Sequence, residues 1–356
     1  MADREPAGLE RKSPLTSMRR VVVYPGQIAV EAADIPDPGP NEALVRTLVT
    51  GVCGSDLHAS HGRHPFVRLP YRPGHEVVGV IESVGSAVQE RTPGQRVIVE
   101  PDLPCWTCKM CTSGRENLCE NLQFFGCGYP QGGMADYFTL AANRLHPVPE
   151  ALDDHTAALI EPLSTPVHAV RLAGDVAGRS IAVLGAGAIG LFTLAVLRAH
   201  QAGQVVVTDP LPAKRARAAA LGADETIDAS TPDVAGQVRR VLGGSADIVF
   251  DCVAIQSSID QAIALADKGG TVMVVGVPAR DVTVPLPLVQ DHQIRIQGSA
   301  TYLPEDYQES TDLLRRGAVK TADFVTATRP LDQVAEAFEL ASSGHHVKVL
   351  VTVGER

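Results

Sequence analysis

Aromatic side chains and basic clusters are scarce in this chain of 356 residues. Phe, Trp and Tyr together make up 4%, with a single tryptophan, which leaves few residues for a pocket that binds a bulky aryl group. The 31 basic residues are outnumbered by 41 acidic ones, the formal charge is −10, and no run of Lys and Arg builds a basic face. These features argue against a nucleic-acid or anionic-membrane partner. We therefore expect a small-molecule ligand.

A secretory signal and a membrane span are also missing from the pattern. The segment Met1–Arg20 is polar and charged and lacks the apolar core of a signal. The longest uncharged run, Ile181–Leu197, has 17 residues, at the lower end of the ~17–25 that a spanning helix needs. Three glycines interrupt that run, which favours a strand and a turn instead. We therefore expect a cytoplasmic protein without a membrane partner.

Cysteine is infrequent but unevenly distributed. Four of the seven cysteines fall within a segment of 15 residues, at Cys105, Cys108, Cys111 and Cys119. In a reducing compartment such clustered thiols are metal ligands more often than disulfides. Four thiolates on one loop satisfy a closed, structural zinc site. An iron–sulfur cluster is the competing interpretation, which the seven-residue final spacing and the lack of a proline after the last cysteine disfavour.

The chain has two parts with different patterns of apolar residues, and together they predict an α/β protein. From about residue 19 to 143, short apolar segments alternate with proline and glycine, a pattern typical of an irregular β unit. From 180 to 299, apolar runs alternate with helical stretches, which predicts a doubly wound parallel sheet. The C-terminal stretch is too short for a core of its own, so we expect it to join one of the other parts. The strands predicted in the second part are Ile181–Leu184, Val205–Thr208, Ile248–Val253, Thr271–Val277 and Ile294–Gln297.

A glycine motif follows the first of these strands. Gly185, Gly187 and Gly190 form G-x-G-x-x-G at the start of a predicted helix, and Asp209 ends the next strand 19 residues later. In a dinucleotide fold such glycines permit the tight turn, the approach of the pyrophosphate and close helix packing, while the acid binds the ribose. An aspartate there repels a 2′-phosphate, so the motif favours NAD over NADP. The matched spacing disfavours the alternative that the glycines merely close a turn.

A second candidate metal site lies upstream of the four-cysteine loop. Cys53 belongs to the segment Gly51–His58, and His75 and Glu76 follow some twenty residues later. A thiolate, an imidazole and a carboxylate form a three-ligand zinc set whose fourth position is open to water or a substrate oxygen. Each residue alone is equally typical of a protein core. In combination with the other motifs, they indicate a catalytic metal.

Together these motifs resemble the zinc-dependent medium-chain dehydrogenase/reductase family over nearly all of the chain after the tail. The segment Gly74–Gly79, followed by Gly85 and Val88, is similar to the zinc signature of that family. Glu161–Ser164 with His168 is most similar to the sorbitol, butanediol and related polyol dehydrogenases. The resemblance implies a GroES-like irregular β catalytic domain combined with a Rossmann domain.

The resemblance also implies how the chain is divided. It assigns 1–17 to a mobile tail, 18–161 and 300–356 to the zinc catalytic domain with a structural-zinc lobe at 100–120, and 162–299 to the NAD-binding domain. It implies two zinc ions per chain, one catalytic and one structural, with NAD as cofactor. The implied substrate is a small alcohol or ketone, and the implied assembly is a homodimer or homotetramer.

The ligands of the catalytic zinc follow from the same resemblance. They are Cys53 and His75, with Glu76 and Glu161 either ligating directly or acting through water. The resemblance places Ser55 on the substrate oxygen.

Further implied roles concern proton transfer, substrate and cofactor. His58 continues a proton relay from Ser55, and Tyr302 contacts the substrate. The implied cofactor contacts besides the glycines and Asp209 are Thr165, Ile189, Lys214, Val275 and Val277.

One departure concerns the substrate. Polyol relatives often carry Arg-Tyr where this chain has Thr301 and Tyr302, so a cationic contact to a distal hydroxyl is missing. The residues therefore leave open a dehydrogenase of an amino alcohol or a cyclitol with the same zinc site. A noncatalytic scaffold that binds NAD and zinc is the alternative of another class, and the intact set of site residues argues against it.

Overall fold

The computed structural model describes residues 17–354. The predicted tail lies outside the described residues except for Ser17, which begins the first strand. Within the described range the strands are β1 (Ser17–Tyr24), β2 (Gln27–Asp34), β3 (Glu42–Val52), β4 (Val77–Val84), β5 (Arg96–Val99), β6 (Asp102–Leu103), β7 (Gln123–Phe124), β8 (Tyr137–Ala141), β9 (Leu145–Pro147), β10 (Ile181–Leu184), β11 (Val205–Thr208), β12 (Glu225–Ile227), β13 (Ala246–Asp251), β14 (Ala266–Val274), β15 (Arg295–Gly298), β16 (Val325–Pro330) and β17 (Lys348–Thr352).

The helices of the same range lie mainly in the second half of the chain. They are α1 (Gly54–Ser60), α2 (Lys109–Thr112), α3 (Asp154–Ala157), α4 (Ile160–Ala173), α5 (Ala188–Ala199), α6 (Pro212–Ala220), α7 (Val234–Leu242), α8 (Gln256–Leu265), α9 (Leu286–Asp291), α10 (Pro304–Arg315), α11 (Thr321–Phe324) and α12 (Val334–Ser342). Short 3₁₀ turns lie at Glu116–Leu118, Ala142–Arg144 and Leu331–Gln333.

A six-stranded parallel sheet forms the centre of the second half. Its strand order is β12-β11-β10-β13-β14-β15, so the order reverses between β10 and β13. All residues of β10 and β11 are buried, because the sheet is covered on both faces. The predicted doubly wound sheet is confirmed. In such sheets a ligand binds at the carboxyl ends of the strands where the order reverses.

Two strands of this sheet end earlier than predicted. β13 stops at Asp251, whose carboxylate accepts the backbone N–H groups of Val253 (2.9 Å) and Ala254 (3.0 Å) and so turns the chain. β14 likewise ends at Val274. No helix in the described part of the chain is long and apolar enough to span a membrane. The uncharged run Ile181–Leu197 is divided between β10, the glycine turn and α5.

A seven-stranded sheet is built from both ends of the chain. Its order is β16-β17-β3-β4-β5-β9, and β8 also pairs with β3. β17 runs antiparallel to β3, which places the C-terminal strand beside the N-terminal ones. The register between β3 and β4 shifts twice, which agrees with the irregular β unit that the sequence predicts.

Helix α4 joins the two sheets. It packs against α5 and α10, and between residues 160 and 170 every side chain is buried except that of Thr165. The helix spans the domain boundary that the sequence resemblance places between residues 161 and 162. One hydrophobic core contains residues of β3, β4 and β5 as well as of α4, α5 and β10. The two sheets are therefore held in fixed contact around this helix.

Candidate active site and metal centres

Three side chains converge where β3 and β4 lie side by side. Cys53 is the N-cap of α1, directly after β3, and His75 and Glu76 directly precede β4. One ligand atom from each of the three lies within 4.8 Å of the other two. Gly51 permits this approach, because a Cβ there would lie 1.8 Å from Oε2 of Glu76. Sheet pairing thus brings together residues that are some twenty positions apart.

The chemistry of these three residues fits zinc. Nδ1 of His75 and Oε2 of Glu76 are buried without a hydrogen-bond partner. Although burial disfavours the charged imidazole, Cys53 and Asp56 beside it raise the pKa of His75 well above its usual value. The surroundings therefore favour a positive charge. A sulfur, a nitrogen and an oxygen donor with room for a fourth ligand are the usual set of a catalytic zinc site.

Glu161 and Tyr302 are paired beside this group. Glu161 is buried near the start of α4, and the hydroxyl of Tyr302 donates to its Oε1 at 2.6 Å. Burial raises the pKa of Glu161. Glu161 is not among the residues whose ligand atoms meet within 4.8 Å. The structure thus gives the Tyr302 hydroxyl, which was expected on the substrate, a protein partner. It places Glu161 beside the group of Cys53, His75 and Glu76 rather than within it.

Two further charged residues of the centre were missed in the sequence. Asp56 is fully buried, and its carboxylate accepts the backbone N–H of Cys53 (3.1 Å) and the hydroxyl of Tyr71 (3.1 Å). Lys348 on β17 donates to Oε1 of Glu76 at 2.5 Å. Lys348 stands in an otherwise apolar strand segment, and this isolated charge was the available signal. Asp56 lies within the same short segment as Cys53.

The proposed proton-transfer residues lie on α1. Oγ of Ser55 is 3.5 Å from Nε2 of His75. His58 is exposed and lies three residues further along the helix, so it shares a face with Ser55. This face leads from the three-residue group to solvent.

The four clustered cysteines form a separate centre. Their sulfur atoms lie within 4.8 Å of one another, with Cys108 at 3.5 Å from Cys111 and 3.9 Å from Cys119. These separations are far longer than a disulfide bond. Hydrogen bonds from Thr107 and from neighbouring backbone amides lower the pKa of Cys105 to about 5, which favours the thiolate. Four converging sulfurs, with thiolate favoured at Cys105, fit a closed zinc site.

The glycine turn follows β10 at the point of strand reversal. Gly185 has φ +93°, and a Cβ at Gly190 would lie 1.8 Å from the carbonyl oxygen of Gly185. Both positions therefore require glycine for the turn itself. At Gly187, by contrast, a Cβ would meet nothing within 4 Å. The space above the N-terminus of α5 is open, as a bound pyrophosphate requires.

Asp209 lies next to this turn at the end of β11. The backbone N–H of Ala186 donates to its Oδ2 at 2.9 Å and that of Leu211 to its Oδ1 at 2.8 Å. Arg215, which the sequence did not single out, donates to the backbone carbonyl of Asp209 at 2.8 Å. Lys214 is partly buried on the same helix, α6. The carboxylate is thus fixed beside the turn, with two cations nearby.

The remaining expected cofactor contacts lie on α4, on α5 and in the loop after β14. Thr165 is the partly exposed residue of the buried stretch of α4, and Ile189 is partly buried in the first turn of α5. Val275 and Val277 follow β14, the former buried and the latter exposed.

Two family models match separate parts of the chain. Residues 39–150 match the alcohol dehydrogenase GroES-like domain, and residues 188–316 match the zinc-binding dehydrogenase model. A sorbitol dehydrogenase from Ovis aries is 34% identical over 345 residues, which cover 96% of this chain and 97% of the relative.

Solved structures show the same fold over nearly the whole chain. A zinc-binding dehydrogenase from Sinorhizobium meliloti 1021 bound to NADP superposes with a TM-score of 0.88 and 32% identity, covering 95% of this chain and all of that one. An alcohol dehydrogenase from Escherichia coli CFT073 complexed with NADH has a TM-score of 0.88 and 27% identity, covering 95% and 99%. The chain therefore belongs to the zinc-binding medium-chain dehydrogenase family.

Proposed function

We propose that this chain transfers hydride between NAD(H) and a secondary alcohol, diol or polyol and its ketone. The observation that carries the proposal is the placement of two sites around α4. Cys53, His75 and Glu76 converge near its start, and the glycine turn lies at the carboxyl edge of the adjoining parallel sheet. The sorbitol dehydrogenase relatives support an alcohol as the substrate.

The residues near the metal centre then have distinct tasks. Cys53, His75 and Glu76 would hold a zinc ion, which when bound supplies the Lewis acidity that lowers the pKa of an alcohol hydroxyl. Ser55 would accept the proton of that hydroxyl while its own hydroxyl proton leaves to solvent through exposed His58 or a water chain.

The buried surroundings serve orientation. Asp56 anchors the backbone of Cys53, which directs the thiol toward His75. Thr165 and Val275 hold the nicotinamide end of the cofactor against the substrate, so that the reacting carbons are aligned. Shared packing of the two sheets around α4 keeps this arrangement stable.

A second zinc ion is proposed for the cysteine lobe. Cys105, Cys108, Cys111 and Cys119 leave no position open to substrate, so this ion stabilises the loop rather than taking part in the reaction. Metal analysis of the purified protein is then expected to give two zinc ions per chain. A single ion would contradict the assignment of one of the two centres.

NAD is proposed as the preferred cofactor. The carboxylate of Asp209 is fixed at the end of β11 by two backbone N–H groups, where it meets the ribose and opposes a 2′-phosphate. The relative solved with NADP shows that the family also accommodates the phosphorylated cofactor.

The assembly and compartment are proposed from surface features. β15 is an edge strand of the parallel sheet, and Ile296 on it is exposed. Such an edge can pair with a second copy, which supports a homodimer or homotetramer and is tested by light scattering. All seven cysteines are free, which supports the reducing cytoplasm.

A substrate screen tests the reaction. The purified, zinc-loaded chain is incubated with NAD and a panel of secondary alcohols, diols, polyols and amino alcohols, and NADH absorbance is followed. Turnover of at least one class is expected, with loss of turnover on removal of zinc. Firm binding of NAD with no turnover in either direction would favour the noncatalytic scaffold instead.

A further inference from the structure

One asparagine of the cysteine lobe is buried against the rest of the molecule. Asn117 is 5% exposed and belongs to the 3₁₀ turn between Cys111 and Cys119. Its side-chain amide donates to the backbone carbonyl of Ala300 at 3.0 Å, although the two residues are 183 positions apart. The same nitrogen lies 3.4 Å from Nε2 of His168 on α4. An amide nitrogen carries two hydrogens, so Asn117 can donate to both partners at once.

The imidazole of His168 is held in one orientation by Asp306 on α10. Nδ1 of His168 lies 2.7 Å from Oδ2 of Asp306, and both side chains are buried. Although burial alone would raise the pKa of Asp306, hydrogen bonds from His168 and Arg171 hold that pKa below its usual value. The carboxylate is therefore ionised and can only accept, so Nδ1 is the donor. In the neutral ring Nε2 is then the acceptor that faces Asn117.

Asn117 and Asp306 hold the two ends of the short segment that runs from Ala300 to Leu303. Asn117 binds the backbone carbonyl of Ala300. At the other end, Oδ2 of Asp306 accepts the backbone N–H of Leu303 at 2.7 Å. His168 lies between the two holding side chains and contacts both of them. We call the side chains of Asn117, His168 and Asp306 the clamp.

The segment held by the clamp carries Tyr302 to the active centre. Tyr302 is 2% exposed, and its hydroxyl donates to Oε1 of Glu161 at 2.6 Å. Thr301, the residue before it, has φ +45°, a conformation that a β-branched residue keeps only where surrounding contacts impose it. The clamp supplies such contacts on both sides of Thr301. The position of the Tyr302 hydroxyl thus depends on side chains outside the proposed catalytic metal site.

We propose that the clamp residues are positioning residues for substrate oxidation, and that Asn117 thereby connects the cysteine lobe to the geometry of the active centre. This inference rests on the proposed dehydrogenase function. The clamp acts through Tyr302, whose hydroxyl orients Glu161, and not on the substrate itself. A displacement of about 1 Å near a reacting centre can lower the rate about 100-fold. A loosened clamp is therefore expected to lower kcat more than it raises KM.

Asn117→Leu is the first test of the clamp. The change keeps a side chain of similar size and removes both hydrogens that the amide donates. In the zinc-loaded full chain kcat is expected to fall about tenfold or more, while KM changes less than about threefold. Asn121→Leu, the same change at an exposed asparagine of the same lobe, is expected to leave kcat unaltered. Two zinc ions per chain and an unchanged emission of Trp106, the single tryptophan, verify that the lobe is intact.

Tyr302→Phe shows whether the effect passes through the tyrosine. In that background the hydroxyl is already absent, so Asn117→Leu is expected to lower kcat further by less than about twofold. A merely structural role of Asn117 predicts the same fold loss in both backgrounds and would contradict the proposal. His168→Asn keeps an amide donor toward Asp306 and removes the acceptor that faces Asn117. It is expected to show the same dependence on Tyr302.

Hydrogen exchange measures the clamp without turnover. In Asn117→Leu the backbone amides from Ala300 to Leu303 are expected to exchange about tenfold faster, while those of β10 exchange as in the parent. An active parent whose kcat is unaltered by Asn117→Leu and His168→Asn overturns the inference alone, whether or not exchange is faster. A parent that oxidises no alcohol overturns the proposed function and the inference with it. Should Asn117→Leu fail to fold, His168→Asn with and without Tyr302→Phe decides.

Discussion

Nζ of Lys348 lies 2.5 Å from Oε1 of Glu76, and the two side chains are 3% and 0% exposed. The pair joins the last strand of the chain to the residue that precedes β4, with β3 between them. Although burial opposes the ammonium charge, Glu76 keeps the pKa of Lys348 above its usual value. Oε2 of Glu76 remains without a partner. Lys348 therefore fixes the orientation of Glu76 and leaves one carboxylate oxygen free to bind the proposed zinc ion.

Replacement of Lys348 by methionine is expected to lower the free energy of unfolding by about 1–3 kcal/mol, because Oε1 of Glu76 is left buried without its partner. Urea unfolding of the zinc-loaded protein measures the change. Lys268→Met, at an exposed lysine, serves as the control and is expected to change stability little. Equal stability of Lys348→Met and the parent would contradict the role of the pair.

Cys53→Ser tests the catalytic centre directly. Loss of the thiolate is expected to reduce turnover roughly 10³-fold or more, since Lewis-acid activation contributes several kcal/mol. NAD binding is expected to persist, because the glycine turn lies on the other sheet. The measured zinc content is expected to fall from two ions per chain to one. If NAD binding is lost in parallel with turnover, the variant has misfolded and the role of Cys53 is not supported.

The parallel sheet and the cysteine lobe could be predicted from sequence because their signals are local. Strands buried on both faces give continuous apolar runs, as in β10 and β11. The glycines are required by a turn of six residues, and four thiols within 15 residues are rare without a metal. In each of these cases, neighbouring positions in the sequence form the structure.

The missed features depend on contacts between distant parts of the chain. Lys348 and Glu76 are 272 residues apart, and Tyr302 and Glu161 are 141 apart. Helix α4 was not predicted because its buried stretch shows no amphipathic period and contains two prolines. β12 has three residues, too few for a pattern. Such features need the folded arrangement before they can be recognised.

A buried ionic cluster at Asp306 is expected to make stability depend on pH. Burial alone would raise the pKa of Asp306, but hydrogen bonds from His168 (2.7 Å) and Arg171 (2.8 Å) hold it below its usual value. A carboxyl whose pKa is lower in the folded state stabilises the protein above its unfolded pKa of about 3.8, and the contribution is lost as pH falls toward the folded value.

Asp306→Asn measures this contribution. The variant is expected to lose about 1.5–3 kcal/mol of unfolding free energy at neutral pH, the usual value for hydrogen bonds to a charged group. The difference from the parent is expected to shrink as the pH is lowered below about 4. Asp312→Asn on the same helix removes an exposed pair with Arg315 and is expected to cost little. A pH-independent difference would show that Asp306 acts through packing alone.

Cofactor choice is expected to depend on the charge of Asp209. Asp209→Asn removes the charge and keeps an acceptor oxygen for one of the two backbone N–H groups, whereas Asp209→Ser also makes room for a phosphate. Lys214 and Arg215 on the adjacent helix can then attract the 2′-phosphate of NADP. The ratio of kcat/KM for NADP to kcat/KM for NAD is therefore expected to rise by about 10- to 100-fold in Asp209→Asn, which corresponds to ~1.4–2.7 kcal/mol. A larger rise is expected in Asp209→Ser. Asp37→Asn, the same change at an exposed aspartate, is the control and is expected to leave the ratio unchanged. An unaltered ratio in both Asp209 variants, with activity retained, would show that another residue selects the cofactor.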